Sequence, residues 1–288
     1  MPEEILLVAD NDWANLGYLL AKSLQSVGVE AKAITFHRHS FGYAEQAELC
    51  TDDLYAEYVA KADVVIAMHS VYKPCNKKVF VFHGGSAYRA NFVRLNEFFN
   101  RIVAGTILQH WEFLDKGAKN PYWLLPPADL SIQPDYTYHG KAFAHYPRGT
   151  QKGTETILRA FDGIPITYSD KSVPHQENLN RMSQCDIYVE MVCQPEWGMT
   201  ALEAAALGKI VITTFHGLED YRKRFGECEL VVANTGDELK EKVKEILSWT
   251  EKEILGKKKA TRKWVETLHS FEAVGRRLKA IINGETRL

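Results

Sequence analysis

The sequence predicts an α/β protein of two Rossmann-like domains, and three observations carry that prediction. Short β-branched runs alternate with helix-length segments from residue 5 to residue 100, the pattern breaks at Pro126-Pro127, and the same alternation restarts at residue 142. A length of 288 residues with 45% hydrophobic content is enough for two cores of ordinary size.

In the first half, apolar runs at 5–9, 31–36, 64–68 and 79–82 are expected as strands, with helices at 16–27, 54–60 and 92–100. The proline pair and the polar stretch to Gly140 are expected as the linker, so the first domain is drawn as 1–135 and the second as 141–270. In the second half, strands are expected at 142–146, 165–168, 187–192, 210–214 and 229–233, and helices at 154–161, 177–184 and 201–207. Residues 271–288 are set apart as a terminal helix that packs back on the first domain. In open parallel sheets ligands collect beyond the carboxyl ends of strands, so an active site is expected in a cleft between the two domains.

Bulk properties exclude several classes. A formal charge of −2 lacks the basic excess of a general nucleic-acid binder. The five cysteines are widely spaced with no C-x-x-C pair, which signals neither a disulfide framework nor a zinc site and suits a reducing cytoplasm. No apolar run approaches the ~18 residues of a membrane span. Residues 257–263 carry five cations ahead of Trp264, a solvated helix face or a peripheral contact with an anionic membrane. Walker A, G-x-G-x-x-G and G-x-S-x-G are all missing, and Asp52-Asp53 are adjacent rather than spaced as metal ligands, so a metal-independent chemistry without a bound cofactor is expected.

The most informative stretch runs from Glu190 to Thr214. Trp197-Gly198-Met199-Thr200 precedes a helix-favouring run that stops at Gly208 and leads into a β-branched strand. The first N–H groups of such a helix lack partners and carry the positive dipole end, so a phosphate can rest there, with Gly198 allowing close approach. Glu203, about one turn inside, offers two acceptor oxygens suited to a ribose diol. These few residues also suit a plain glycine turn and a solvated glutamate. Arg148 and Lys152 bracket a second glycine-containing loop that opens a helix, so two cations can face one diphosphate.

These residues resemble the donor-site signature of retaining GT-B glycosyltransferases, especially the family 4 group, in which two glutamates with seven residues between them flank a Gly-Phe-Gly-like turn. Residues 197–204 match the second half of that signature. The first glutamate is displaced: Pro195 occupies its place and Glu196 follows one position later. The resemblance covers most of the chain, with an amino-terminal domain that looks trimmed. It implies a hexosyltransferase-type enzyme of glycan biosynthesis that moves a sugar from a nucleoside-diphosphate sugar to a glycan, lipid-linked or small-molecule acceptor.

The same resemblance assigns roles. Arg148, Lys152 and the N–H groups near Met199 and Thr200 neutralise the leaving diphosphate, Glu203 holds the ribose, and Val173 walls the base. Glu196 orients the donor sugar. His83, in a His-Gly-Gly-Ser-Ala-Tyr-Arg segment, contacts that sugar from the first domain, and Arg89 binds acceptor or phosphate. The loop holding Asn15 and Gly17 is expected on the acceptor side. Two rivals stay open: a nucleotide-sugar epimerase on the same fold, and a non-catalytic nucleotide-sugar binding subunit.

Overall fold

The computed structural model describes residues 4–69, 72–147 and 152–285. The chain divides into two compact units, the first made of residues 1–127 and 269–288 and the second of residues 128–268.

Among the described residues, the first unit holds a seven-stranded sheet whose paired strands are all parallel. Its strands are β1 (Glu4–Asn11), β2 (Glu30–His37), β3 (Glu48–Leu49), β4 (Val64–Met68), β5 (Lys78–His83), β6 (Gly105–Leu108) and β7 (Pro121–Trp123), with helices α1 (Leu16–Ser26), α2 (Asp52–Lys61) and α3 (Gly85–Ile102) between them. The order is β3-β2-β1-β4-β5-β6-β7. The chain therefore winds outward in one direction, returns, and winds outward in the other, with its switch point between β1 and β4. Leu6, Val8, Val65, Val81 and Phe99 form part of one core beneath this sheet. β3, β6 and β7 are too short or too mixed in composition to stand out in the sequence.

The second unit has five parallel strands in the order β12-β11-β10-β8-β9. These are β8 (Phe143–His145), β9 (Ile166–Tyr168), β10 (Ile187–Val189), β11 (Ile210–Thr213) and β12 (Val231–Val232). Helices α4 (Thr154–Ala160), α5 (His175–Ser183), α6 (Met199–Ala206), α7 (Leu218–Phe225), α8 (Gly236–Ser248) and α9 (Glu251–Leu268) accompany them. Phe143, Ile187, Val189, Ile210, Ile212, Leu239 and Val243 share its core.

The stretch expected as a linker belongs to the second unit from Ala128 onward. Its backbone is tied down by three buried cations. Lys209 Nζ donates to the Asp135 carbonyl at 3.0 Å, Lys258 Nζ to that of Thr137 at 2.7 Å, and Arg262 Nη1 to that of Ile132 at 2.7 Å. An extended segment has no ladder of its own, and long cations reaching its carbonyls satisfy it without water.

Those bonds also correct the expectation for residues 257–263. Lys258 is fully buried and paired with the equally buried Asp186 at 3.1 Å, Arg262 points inward, and Lys257 pairs with Glu229 at 2.6 Å. Trp264 is buried, its indole N–H donating to Tyr221 Oη at 2.9 Å. The tryptophan and two of the cations that a membrane contact would use are committed to the interior. No helix among the described residues is long and apolar enough to cross a membrane.

The final helix, α10 (Phe271–Asn283), belongs to the first unit and packs along α1. A Cβ on Gly275 would sit 2.7 Å from the Ser23 carbonyl carbon, so only glycine permits this approach of the two helices. The helix is further pinned by Lys78 Nζ donating to the Ile282 carbonyl at 2.9 Å and by His269 at 2.7 Å from the carbonyl of Pro126.

Candidate functional site

In the second unit, β10 ends at Val189 and the chain passes through a loop into α6, which runs from Met199 and feeds β11. Between them lies Glu190, whose side chain is fully buried. Its Oε1 accepts from Lys152 Nζ in an ion pair and from Thr200 Oγ1 at 3.3 Å. Its Oε2 accepts from Thr213 Oγ1 at 2.9 Å and from the Gly198 N–H at 3.4 Å. A Cβ on Gly198 would lie 3.1 Å from Glu190 Oε1 and 3.3 Å from Lys152 Nζ, so glycine leaves room here for a carboxylate and an ammonium beside the start of the helix. Lys152, Gly198 and Thr200 are thereby brought together, with Met199 as the first residue of α6. Arg148 lies outside the described residues.

His145, the last residue of β8, ties the end of β10 to the first residue of α4. Its Nδ1 lies 2.8 Å from the Val189 carbonyl and its Nε2 3.1 Å from the Thr154 hydroxyl. A carbonyl can only accept, so Nδ1 carries the proton and Nε2 accepts from Thr154. Burial lowers the histidine pKa and keeps this neutral form.

Glu203 sits one turn into α6. His175 Nε2, at the start of α5, lies 2.9 Å from Glu203 Oε1, while Oε2 is buried with no hydrogen-bond partner among the described residues. An acceptor in that state carries a desolvation cost of about 1–3 kcal/mol that an incoming hydroxyl would remove. Val173 is buried two residues before His175. Glu196 is also buried, 3% exposed, in a loop whose backbone bridges to Phe215.

In the first unit His83 ends β5 and is fully buried. Its ring stacks on Tyr88 with centroids 4.2 Å apart and meets the edge of Phe99 at 5.3 Å. Burial lowers its pKa to about 3. This departs from the expected sugar contact: β5 lies between β4 and β6, and the buried ring packs against Tyr88 and Phe99 of α3 in the first unit. Arg89 is ion-paired with Glu112, its Nε 2.9 Å from Oε1, so its charge is already neutralised.

Asn15 has φ 58° and its Nδ2 donates to the Glu45 carbonyl at 2.8 Å. Gly17 N–H donates to Asp12 Oδ1 at 2.6 Å, and Tyr18 N–H to Oδ2 at 2.9 Å, so Asp12 supports the first turn of α1. His69 Nε2 lies 3.4 Å from Asp12 Oδ1. Asp12 and His69 thus meet beyond the carboxyl ends of β1 and β4, at the switch point of this sheet, beside an exposed Trp13.

Sequence reasoning missed Glu190, His175, Asp12 and His69 as members of these constellations. Glu190 alone left a signal, an acid set within the apolar run Val189-Glu190-Met191-Val192, where a charge needs a buried partner. Among the described residues no group of histidine, cysteine and acidic side chains is arranged to hold a metal ion.

Neither a protein-family model nor a curated protein sequence matches the chain. Solved structures do. Anabaena Alr3699/HepE in complex with UDP-glucose is 12% identical over 97% of this chain and 99% of its own, with a TM-score of 0.70. The sucrose-phosphate synthase of Thermosynechococcus elongatus is 14% identical over 98% of both chains, with a TM-score of 0.65. WaaG, a glycosyltransferase involved in lipopolysaccharide biosynthesis, is 13% identical over 97% of this chain and all of its own, with a TM-score of 0.54. At such identities the likeness shows the fold, which is the GT-B fold of two Rossmann-like domains.

Proposed function

We propose that this chain is a glycosyltransferase that moves a sugar from a nucleoside-diphosphate sugar to an acceptor hydroxyl. The observation that carries the reading is the start of α6, where Lys152 lies beside Gly198 and Thr200 and where, one turn later, Glu203 Oε2 is buried with no hydrogen-bond partner among the described residues. A nucleoside diphosphate has the matching chemistry, with an anionic diphosphate adjoining a ribose diol. Because HepE was solved with UDP-glucose, a UDP-sugar is the first donor to try.

In this reading Lys152 and the α6 N-terminus stabilise the charge that develops on the diphosphate as the sugar leaves. Arg148 adds a second cation. Glu203 Oε2 accepts from a ribose hydroxyl while His175 holds Oε1, and Val173 lies near the base. Asn15, Gly17 and Arg89 belong to the acceptor side. Retention of configuration and independence from a metal accompany the resemblance to family 4 enzymes. The acceptor is a glycan, a lipid-linked sugar or a small molecule, and a cytoplasmic setting fits the dispersed cysteines.

The test is a thermal-shift panel of nucleotides and nucleotide sugars on the wild type and on Glu203→Ala. One nucleotide sugar is expected to raise the wild-type melting temperature by several degrees at saturation, and the variant to lose most of that shift. No shift with any ligand would defeat the reading. One observation favours a second reading, a non-catalytic binding subunit: Glu196, the residue assigned to the donor sugar, is buried. Binding without turnover across an acceptor screen would select it.

A further inference from the structure

Glu190 takes no part in the roles above, yet it is the most heavily bonded carboxylate beside α6. All four of its partners are donors: Lys152 Nζ and Thr200 Oγ1 at one oxygen, Thr213 Oγ1 and the Gly198 N–H at the other. An ionised carboxylate accepts at both oxygens, whereas an amide would turn an NH2 group toward one pair of donors. The donors come from four separate places: the loop before α4, the turn before α6, the first turn of α6 and the end of β11. Glu190 itself is held by the sheet, its N–H donating to the Ile212 carbonyl at 2.8 Å.

The pair is asymmetric. The Glu190 side chain is fully buried while that of Lys152 keeps 20% of its surface exposed, so the anion is the fixed partner and the cation is the one that solvent and ligands reach. A free lysine spreads its ammonium over many rotamers of a four-carbon stem, and a charge-assisted bond to a rigid partner removes that spread.

We propose that Glu190 is a positioning residue for the donor diphosphate: it fixes the Lys152 ammonium at the start of α6, so that cation and helix N-terminus form one preorganised cradle. This rests on the donor-site reading above. It predicts that Glu190 acts on the phosphates through Lys152 and leaves recognition of the nucleoside unchanged.

The experiment is calorimetric titration with UDP, GDP, ADP and the corresponding nucleosides. The proteins are the wild type, Glu190→Gln, Lys152→Ala and the double variant, each checked for a cooperative melt. The expected result is that Glu190→Gln weakens the preferred nucleoside diphosphate about tenfold or more and leaves its nucleoside within twofold. The double variant should be no weaker than Lys152→Ala alone, because residues acting as a unit are not additive. Equal losses for diphosphate and nucleoside, or losses that multiply in the double variant, overturn the inference and leave the donor reading standing. A wild type that binds none of the diphosphates overturns both. Glu190→Asp keeps the charge on a shorter stem and replaces Glu190→Gln if the latter does not fold; it too should lose diphosphate affinity and spare the nucleoside.

Discussion

His83 and His269 are both buried in the first unit, and burial lowers the pKa of each to about 3. The unfolded chain takes up a proton near pH 6.5, so between about pH 6.5 and pH 3 it binds protons that the folded unit does not. The stabilisation is therefore complete above pH 6.5 and is lost as the pH falls, by up to about 1.4 kcal/mol per pH unit for each histidine, or roughly 4 kcal/mol for the pair at pH 5. Urea denaturation of the wild type at pH 7.5 and pH 5 should show this loss, and His269→Gln should show about half of it. An equal pH response in the variant would rule out His269 as a source. At this scale the sequence made Lys152, Gly198, Thr200 and Glu203 legible, because each belongs to a short local pattern around a helix start. It could not place Glu190 against Lys152, thirty-eight residues away, nor distinguish a core histidine at the end of β5 from one facing a ligand.

Helices α9 and α10 each contain a glycine, and the same substitution should act in opposite directions on them. Gly256, on the exposed side of α9, has open space where a Cβ would go, so Gly256→Ala should stabilise by about 0.5–1 kcal/mol through helix propensity and reduced unfolded-state entropy. Gly275 in α10 has the Ser23 carbonyl in that space, so Gly275→Ala should destabilise by about 2 kcal/mol or more as α10 is pushed off α1. Paired melting curves check both, and matching signs would contradict the packing described. Elements of this kind were largely visible beforehand. The helix expected at 16–27 is Leu16–Ser26, the strand at 64–68 is Val64–Met68, and the terminal helix at 271–288 is Phe271–Asn283. β3, with only two residues, and β7, which begins with proline, escaped notice because neither is long enough to show a period.

The first unit is discontinuous in sequence, since residues 269–288 complete it after the chain has built the second unit. Val274, Leu278, Ile281 and Ile282 are buried there, and at about 1.5–3 kcal/mol each their burial is comparable to the whole stability of an ordinary domain. A chain ending at Leu268 should therefore lose the first unit while keeping the second. Hydrogen exchange resolved by peptide should show fast exchange across β1, β4 and β5 with protection retained in β10 and β11. Retained protection in the first sheet would contradict a structural role for α10.

By itself the sequence determined the α/β class, the two rounds of strand and helix, and the loop-helix-strand run at 197–214, because periodicity and turn chemistry act over a few residues. Tertiary structure decided which charges go inside. Asp186 tolerates burial because Lys258 reaches it, Lys209 and Arg262 because residues 130–135 supply carbonyls, and Glu190 because Lys152 and α6 converge on it. It also decided that residues 128–140 belong with the second unit and that Trp264 belongs to a core rather than a surface. A buried charge is stable only beside its partner, and the topology of the sheet, not the spacing of residues along the chain, brings those partners together.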